Sequence, residues 1–317
     1  MKILVVGGAG YIGAWLVPYL LTQEHHVTVY DSMMFGNGHL PDNENLTIIQ
    51  ANLQYTDQFK IACEGKDAVI YLASLSNNDA CNADLLLSDE INITGFRNAV
   101  VAARSSSVQR FIYASSAAVY GSSNEEAVET EKLEPSTLYG HGKRFGEAWL
   151  LAHQQDNFTC VITRSASVCG YSPSMRFDTT INKMTHDAFR HGVITVNGGE
   201  QKRSHIHMKD LCRFYELLLN APKEKIAGQA FNVVAENQTV MESAQLVTSI
   251  IPNTRIEVKP RSDDRSYSVS GKKAQEVLKF NTKWTVMDAV IDMHARFKDG
   301  YWEDSLTRWE YQRVRKN

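Results

Sequence analysis

Five cysteines are all that this 317-residue chain offers for cross-linking. Cys63, Cys81, Cys160, Cys169 and Cys212 form no CxxC pair and have no histidine partners at zinc-ligand spacing. An odd, patternless set predicts reduced thiols in a reducing compartment, not a disulfide framework. No run of about 18 apolar residues exists, so no membrane span is expected. Basic charge is not in excess either. Lys and Arg number 33 against 36 Asp and Glu, a formal net charge of −3, and no nucleic acid partner is expected. Basic and aromatic residues do mix from Tyr301 to Lys316, but Glu303, Asp304 and Glu310 interrupt them, which reads as a solvated or partner-packing segment. Lys2 and the apolar stretch after it imitate a signal peptide. That stretch is broken by Gly7, Gly8, Gly10 and Gly13 with no cleavage pattern behind it, so the expected location is the cytoplasm.

What is present is ordinary globular composition, 43% hydrophobic and 22% charged, in a chain long enough for one large domain or two interlocked ones. Short apolar or β-branched runs at Lys2–Val6, Val27–Tyr30, Leu46–Gln50, Ala68–Leu72, Arg110–Ala114 and Thr159–Thr163 read as strands. Helices are expected between them at Tyr11–Thr22, Tyr55–Cys63, Ser88–Arg104 and Leu138–His153. This alternation predicts an α/β fold, a Rossmann-type doubly wound parallel sheet. After about residue 165 the rhythm loosens. Helices near Thr179–Arg190, Lys209–Asn220, Val240–Ile250 and Val286–Lys298 alternate with short strands near Ile194–Val196, Ala230–Val233 and Arg255–Val258. The expected division is a dinucleotide-binding domain over 1–165 and a smaller α/β substrate lobe over 166–317, with the chain free to cross between them and the ligand site in the cleft.

The first strand runs directly into Gly7-Gly8-Ala9-Gly10-Tyr11-Ile12-Gly13. Glycines at 7, 10 and 13 remove Cβ atoms where the chain turns sharply and its amides approach a pyrophosphate, and the helix beginning near Tyr11 aims its N-terminus at that charge. The second strand ends in Asp31, 18 residues beyond Gly13. A carboxylate there accepts both adenosine ribose hydroxyls and repels a 2′-phosphate, so the expected cofactor is NAD, not NADP. Asn52, after the third strand, is placed for the adenine amino group.

Two further features turn a cofactor binder into an enzyme. Ser115-Ser116-Ala117-Ala118-Val119-Tyr120-Gly121 follows the fifth strand, and Tyr139-Gly140-His141-Gly142-Lys143 opens the next long helix. A spacing of i, i+4 puts Tyr139 and Lys143 on one helical face, about 5–6 Å apart at Cβ. The lysine charge favours phenolate, lowering a phenol pKa that starts at about 10. Tyr139 then takes a proton from a hydroxyl while hydride leaves its carbon, Ser116 bonds the same oxygen, and Lys143 also holds the nicotinamide ribose. Asn92 is a candidate for fixing the lysine.

In this order the motifs resemble those of the extended short-chain dehydrogenase/reductases, in their NAD-dependent nucleotide-sugar epimerase/dehydratase branch. The resemblance runs along nearly the whole chain. It takes in the glycine loop, Tyr71-Leu72-Ala73-Ser74, Asn92 with Gly95 and Asn98, the serine segment, Tyr139 with Lys143, and Arg203-Ser204-His205-Ile206-His207-Met208-Lys209-Asp210. Ser172-Pro173-Ser174-Met175-Arg176-Phe177-Asp178 looks like a segment of one group of bacterial sugar-nucleotide enzymes. The resemblance implies cofactor contacts from Gly7, Gly10, Tyr11, Ile12, Gly13, Asp31, Asn52, Leu53, Leu72, Ala73, Ser74, Asn92, Tyr139 and Lys143. It also implies a homodimer through the helices Ser88–Arg104 and Leu138–His153. Two positions depart from the pattern: Asn52 stands where Asp is usual, and Ser167 where an Asn often contacts the substrate diphosphate.

Ala117 and Ala118 narrow the reaction. Relatives that act as 4,6-dehydratases carry an acid and a base at these two positions. The sugar-acid decarboxylases have a carboxylate at the second, and the enzymes that invert C3 and C5 have a cysteine at the first. Alanine has no proton to exchange. The expectation is therefore a nucleotide-sugar 4-epimerase using transient hydride removal at C4. The alternative is a C4 dehydrogenase or ketoreductase; a 4,6-dehydratase and a non-catalytic NAD-binding protein stand further back. Substrate contacts are expected from Ser116, Arg203, Arg265, Asn182 and Arg176. His205 and His207 alternate on an apparent strand and lack partners at ligand spacing, so no metal is expected.

Overall fold

The computed structural model describes residues 1–302 apart from 37, 38, 124 and 262–264; Glu303, Asp304, Glu310 and the rest of the tail to Lys316 lie outside the described residues. The first part of the chain runs through β1 (Lys2–Val6), α1 (Gly13–Thr22), β2 (His26–Asp31), β3 (Leu46–Gln50), α2 (Thr56–Cys63) and β4 (Ala68–Tyr71). It continues with α3 (Asn78–Ala83), α4 (Leu85–Asp89), α5 (Phe96–Ser105), β5 (Arg110–Ser116), β6 (Glu126–Ala127), α6 (Leu138–Leu151) and β7 (Thr159–Ser165). There follow β8 (Ser167–Cys169), α7 (Thr180–His191), β9 (Val193–Asn197), β10 (Lys202–His207), α8 (Met208–Asn220), α9 (Lys223–Ile226) and β11 (Gln229–Val233). The last elements are β12 (Glu236–Thr239), α10 (Val240–Ile250), β13 (Arg255–Lys259), β14 (Ser268–Val269), α11 (Lys272–Leu278) and α12 (Val286–Lys298).

Seven strands form a single sheet in the order β11-β7-β5-β4-β1-β2-β3, and every neighbouring pair is parallel. Strand order reverses between β1 and β4, which opens the crevice where a dinucleotide sits in doubly wound sheets. β1 shows why the strands are apolar without alternation: Ile3 and Val5 pack into one buried layer, Leu4 and Val6 into the opposite one. Leu16, Val17 and Leu20 of α1 and Leu211, Phe214 and Leu218 of α8 fill the first layer. Phe59 of α2 and Ala99, Val100 and Ala103 of α5 fill the second.

The chain crosses back after residue 165: β11 returns to pair with β7 and becomes the seventh strand of the main sheet. Burial of Phe231 and Val233 drives that return. The helix expected over Ser88–Arg104 is α4 and α5 joined by a π-helical turn at Glu90–Gly95. The wider turn re-aims Asn92, whose side chain clamps the loop after β4: Oδ1 accepts from Leu75 N and Ser74 Oγ, both at 2.9 Å. No described helix is long and apolar enough to cross a membrane.

Candidate active site

The loop between β1 and α1 is shaped by contact, not flexibility. Gly7 has φ +81°, and a Cβ there would lie 2.6 Å from the Ala73 amide nitrogen. β1 and β4 can therefore approach closely enough for their two loops to line one cavity of about 380 Å³. That size suits a small-molecule site. The N-cap of α1, Ile12, makes no side-chain cap; Ala14 N and Trp15 N already donate to Gly10 O and Ile12 O, so the amides for an anion are those of Tyr11, Ile12 and Gly13 at the very start of the helix. Asp31 is set by Oδ2 accepting from Ala9 N at 3.0 Å and Oδ1 from Met33 N at 2.8 Å. Gly7, Gly10, Tyr11, Ile12, Gly13, Asp31, Asn52, Leu53, Leu72, Ala73 and Ser74 all line this cavity. An uncapped helix start, a carboxylate at the end of β2 and a glycine cradle that a Cβ would fill together fit NAD.

A second cavity, of about 290 Å³, shares Tyr11, Ile12, Leu72, Ser74, Ser76 and Arg176 with the first and holds Ser116, Tyr139 and Lys143. Ser116 ends β5, and its Oγ accepts from Ala118 N at 3.2 Å. Tyr139 and Lys143 stand on the first turns of α6, whose start is capped by Thr137 accepting from Gly140 N. The Tyr139 hydroxyl is hydrogen-bonded to Ser116. Lys143 Nζ donates to Ala114 O at 2.7 Å and lies 5.6 Å from the Tyr139 ring centre.

Electrostatics correct one expectation. Burial pushes the Tyr139 phenol up to about 12 against the opposing pull of the Ser116 hydrogen bond and the Arg176 charge. Burial also lowers Lys143 to about 7. Desolvation outweighs the expected lysine effect, and the phenol stands protonated at neutral pH. Beneath the pair, Glu147 accepts from Ser115 Oγ and from Arg164 in a buried ion pair at 2.7 Å, and Arg164 also donates to the Tyr120 hydroxyl. This network ties β5, α6 and β7 together under Ser116.

Arg176, Arg203 and Arg265 line the second cavity, as does Ala118, while Ala117 is buried behind it. Arg203 Nη1 donates to Arg265 O at 2.5 Å and its guanidinium lies 5.7 Å from the Tyr267 ring centre. Asn182 is corrected: it is fully buried, accepts from Gly170 N at 3.0 Å and donates to the Tyr11 hydroxyl at 2.9 Å, so it shapes the wall without lining the cavity. The Asn92 side chain holds the Ser74–Leu75 loop and lines neither cavity.

Ser76, Asn77, Thr137, Asp178, Thr179 and Tyr267 also line the second cavity and carry no sequence signal of their own, apart from Asp178 at the end of the Ser172–Asp178 segment. His205 and His207 are both buried. Among the described residues one unanticipated trio, His186, Asp187 and His191 of α7, brings possible ligand atoms within 4.8 Å of one another, outside both cavities. Lys183 already bridges Asp187 at 2.6 Å.

Comparison with known proteins agrees with this geometry. The family described as NAD dependent epimerase/dehydratase matches residues 3–234. An uncharacterized UDP-glucose epimerase, YtcB, of Bacillus subtilis (strain 168) is 26% identical over 264 residues, 79% of this chain and 82% of that protein. The dTDP-glucose 4,6-dehydratase of Streptomyces niveus is 24% identical over 327 residues, 96% of this chain and 95% of that protein. The crystal structure of UDP-glucuronic acid 4-epimerase from Bacillus cereus, in complex with UDP-glucuronic acid and NAD, has the same fold, with a TM-score of 0.87 at 22% identity over 95% of this chain and 100% of that one. With the glycine cradle, the acid at the end of β2 and the Ser116–Tyr139–Lys143 constellation in one cleft, this chain belongs to the NAD-dependent epimerase/dehydratase family, within the extended short-chain dehydrogenase/reductases, and is an NAD-dependent enzyme.

Proposed function

We propose that this enzyme is a nucleotide-sugar 4-epimerase. The carrying observation is what faces the reacting carbon. The second cavity holds the Ser116–Tyr139 pair, and the only carboxylate lining it among the described residues is Asp178, already paired with Arg176. Ala118 presents a methyl where a dehydratase needs a proton donor or acceptor. With no unpaired carboxylate lining it among the described residues, chemistry at one carbinol is what the cavity supports best. The Tyr139 phenol first releases its own proton to solvent, a loss favoured by a charged Lys143 5.6 Å from its ring; Tyr139 Oη then accepts the hydroxyl proton, and Ser116 Oγ steadies the developing charge on the same oxygen. Bound NAD supplies the hydride acceptor and its later return.

Arg203, Arg265 and the start of α7 support a diphosphate in this cavity. The Thr179 hydroxyl at that helix N-cap is buried without a hydrogen-bond partner, and its side chain does not cap the helix. Val101 of α5 and Leu138, Phe145 and Leu151 of α6 are apolar yet exposed, which supports a homodimer through these helices. The five cysteines are unpaired and buried, in keeping with a reducing cytoplasm.

The test incubates the NAD-loaded protein with UDP-, dTDP-, GDP- and CDP-sugars in D2O and follows products by chromatography and mass spectrometry. A product of unchanged mass and shifted retention, without deuterium at carbon, is expected. A product lighter by two hydrogens, formed with matching NADH, replaces the epimerase with a C4 dehydrogenase. One lighter by a water sinks the argument from Ala117 and Ala118.

A further inference from the structure

Where the two cavities meet, the walls are joined by charge that cancels. Arg176 donates through Nε to Asp178 Oδ1 at 2.7 Å and through Nη2 to Asp178 Oδ2 at 2.5 Å. Both side chains belong to the segment after β8. Both also reach across to the loop after β4, Arg176 Nη1 donating to Ser76 Oγ at 2.8 Å and Asp178 Oδ2 accepting from Asn77 Nδ2 at 2.6 Å. Asn77 is fixed in turn, its Oδ1 accepting from Ala80 N to cap α3. The pair is nearly buried, at 11% and 14% side-chain exposure, so solvent does little to screen it. Its guanidinium is close enough to lower the Tyr139 phenol. The clasp therefore stands beside the reacting centre.

We propose that this neutral clasp makes the enzyme select an uncharged hexose over a hexuronic acid as the sugar it acts on. The proposal rests on the nucleotide-sugar reading above and deepens it. Four cations line the cavity among the described residues: Lys143, Arg176, Arg203 and Arg265. Lys143 serves Tyr139 and donates to Ala114 O. Arg203 and Arg265 are the cations assigned above to the diphosphate, Arg203 Nη1 also donating to the backbone carbonyl of Arg265. That leaves Arg176 as the cation for a sugar carboxylate near Tyr139, and its Nε–Nη2 fork is filled by Asp178. A uronate at this point would face the Asp178 carboxylate as well, a like-charge juxtaposition in a desolvated place. A hydroxymethyl group brings no charge and can use the remaining N–H groups of Arg176 as simple donors. The known relatives include proteins named for both sugar classes, so the choice is a real one within this fold.

The experiment measures Kd by calorimetry and kcat/KM by product chromatography on the NAD-loaded protein. The probes are UDP-glucose and UDP-galactose against UDP-glucuronate and UDP-galacturonate, with dTDP-glucose as the second nucleotide. Wild type is expected to favour the neutral sugars by at least about tenfold in Kd. Asp178→Asn, which frees the Arg176 fork while keeping the shape, is expected to shrink that ratio by about tenfold or reverse it. Wild type that binds the uronates as tightly as the hexoses overturns the proposal, whether or not the variant folds. So does a folded Asp178→Asn protein with an unchanged ratio. A neutral sugar bound preferentially but oxidised or dehydrated overturns the epimerase reading and leaves the selectivity standing. No binding to any member of the panel overturns both.

Discussion

The two halves of the cleft are built by different means. The cofactor half is made largely of backbone: a glycine turn, the start of α1 and the ends of β1, β2 and β4, with Asp31, Glu90 and Arg176 as the charged side chains lining it among the described residues. The substrate half is made of side chains gathered from β5, α6, the segment after β8, β10 and Arg265. Backbone sites depend on local conformation, which a few contiguous residues dictate. Side-chain sites depend on which distant segments meet, and one substitution can change what they bind while the scaffold stays. The first half therefore tolerates little variation and the second invites it.

That contrast can be broken or sharpened experimentally. The largest effect is expected from Tyr139→Phe, which should lower kcat by about 10²–10⁴-fold while leaving NAD affinity within a few-fold of wild type. Loss of NAD binding of the same size would show that the halves are not separable. Next comes Glu147→Leu, which strands the buried Arg164 beneath Ser116. Denaturant melts should show a loss of about 3–5 kcal/mol, and an unchanged midpoint would remove the network from the supports of the site. Gly7→Ala should weaken NAD binding by tenfold or more and cost about 1–3 kcal/mol, because a Cβ meets the Ala73 amide at a positive φ. Tight NAD binding by this variant would contradict the backbone argument.

The smallest effect concerns acid. Burial, aided by the Arg203 charge, lowers His205 to about 3, and burial lowers His207 to about 4. Both are neutral when folded but bind protons from the ordinary histidine value of 6.5 when unfolded, so stability present above pH 6.5 is lost as pH falls toward 3–4. Melting temperature measured against pH should fall less steeply for His205→Gln than for wild type, and parallel curves would refute the assignment.

Legibility in the sequence follows the same division. Gly7, Gly10, Gly13 and Asp31 were readable because their meaning depends on neighbours a few residues away. Tyr139 and Lys143 were readable because a helix fixes their spacing. The Asn77–Asp178 contact joins residues 101 positions apart, and no local pattern announces it. Asn182 misled because an amide satisfies a buried backbone group as readily as a phosphate, and here it holds Gly170 N. The π-turn at Glu90–Gly95 was invisible because one wider turn barely disturbs helical periodicity. The phenol pKa is hidden from the sequence for a related reason: spacing reveals the nearby ammonium but not the loss of water around both groups.

The late return of β11 also bears on how the molecule comes into being. On a ribosome the residues of β1 to β7 emerge well before Gln229–Val233, so β7 waits with one edge uncovered while the cap that hides it is still being made. Through that interval the growing chain carries an exposed, apolar pairing edge. The same arrangement means that a truncation after β7 removes a strand of the seven-stranded sheet itself.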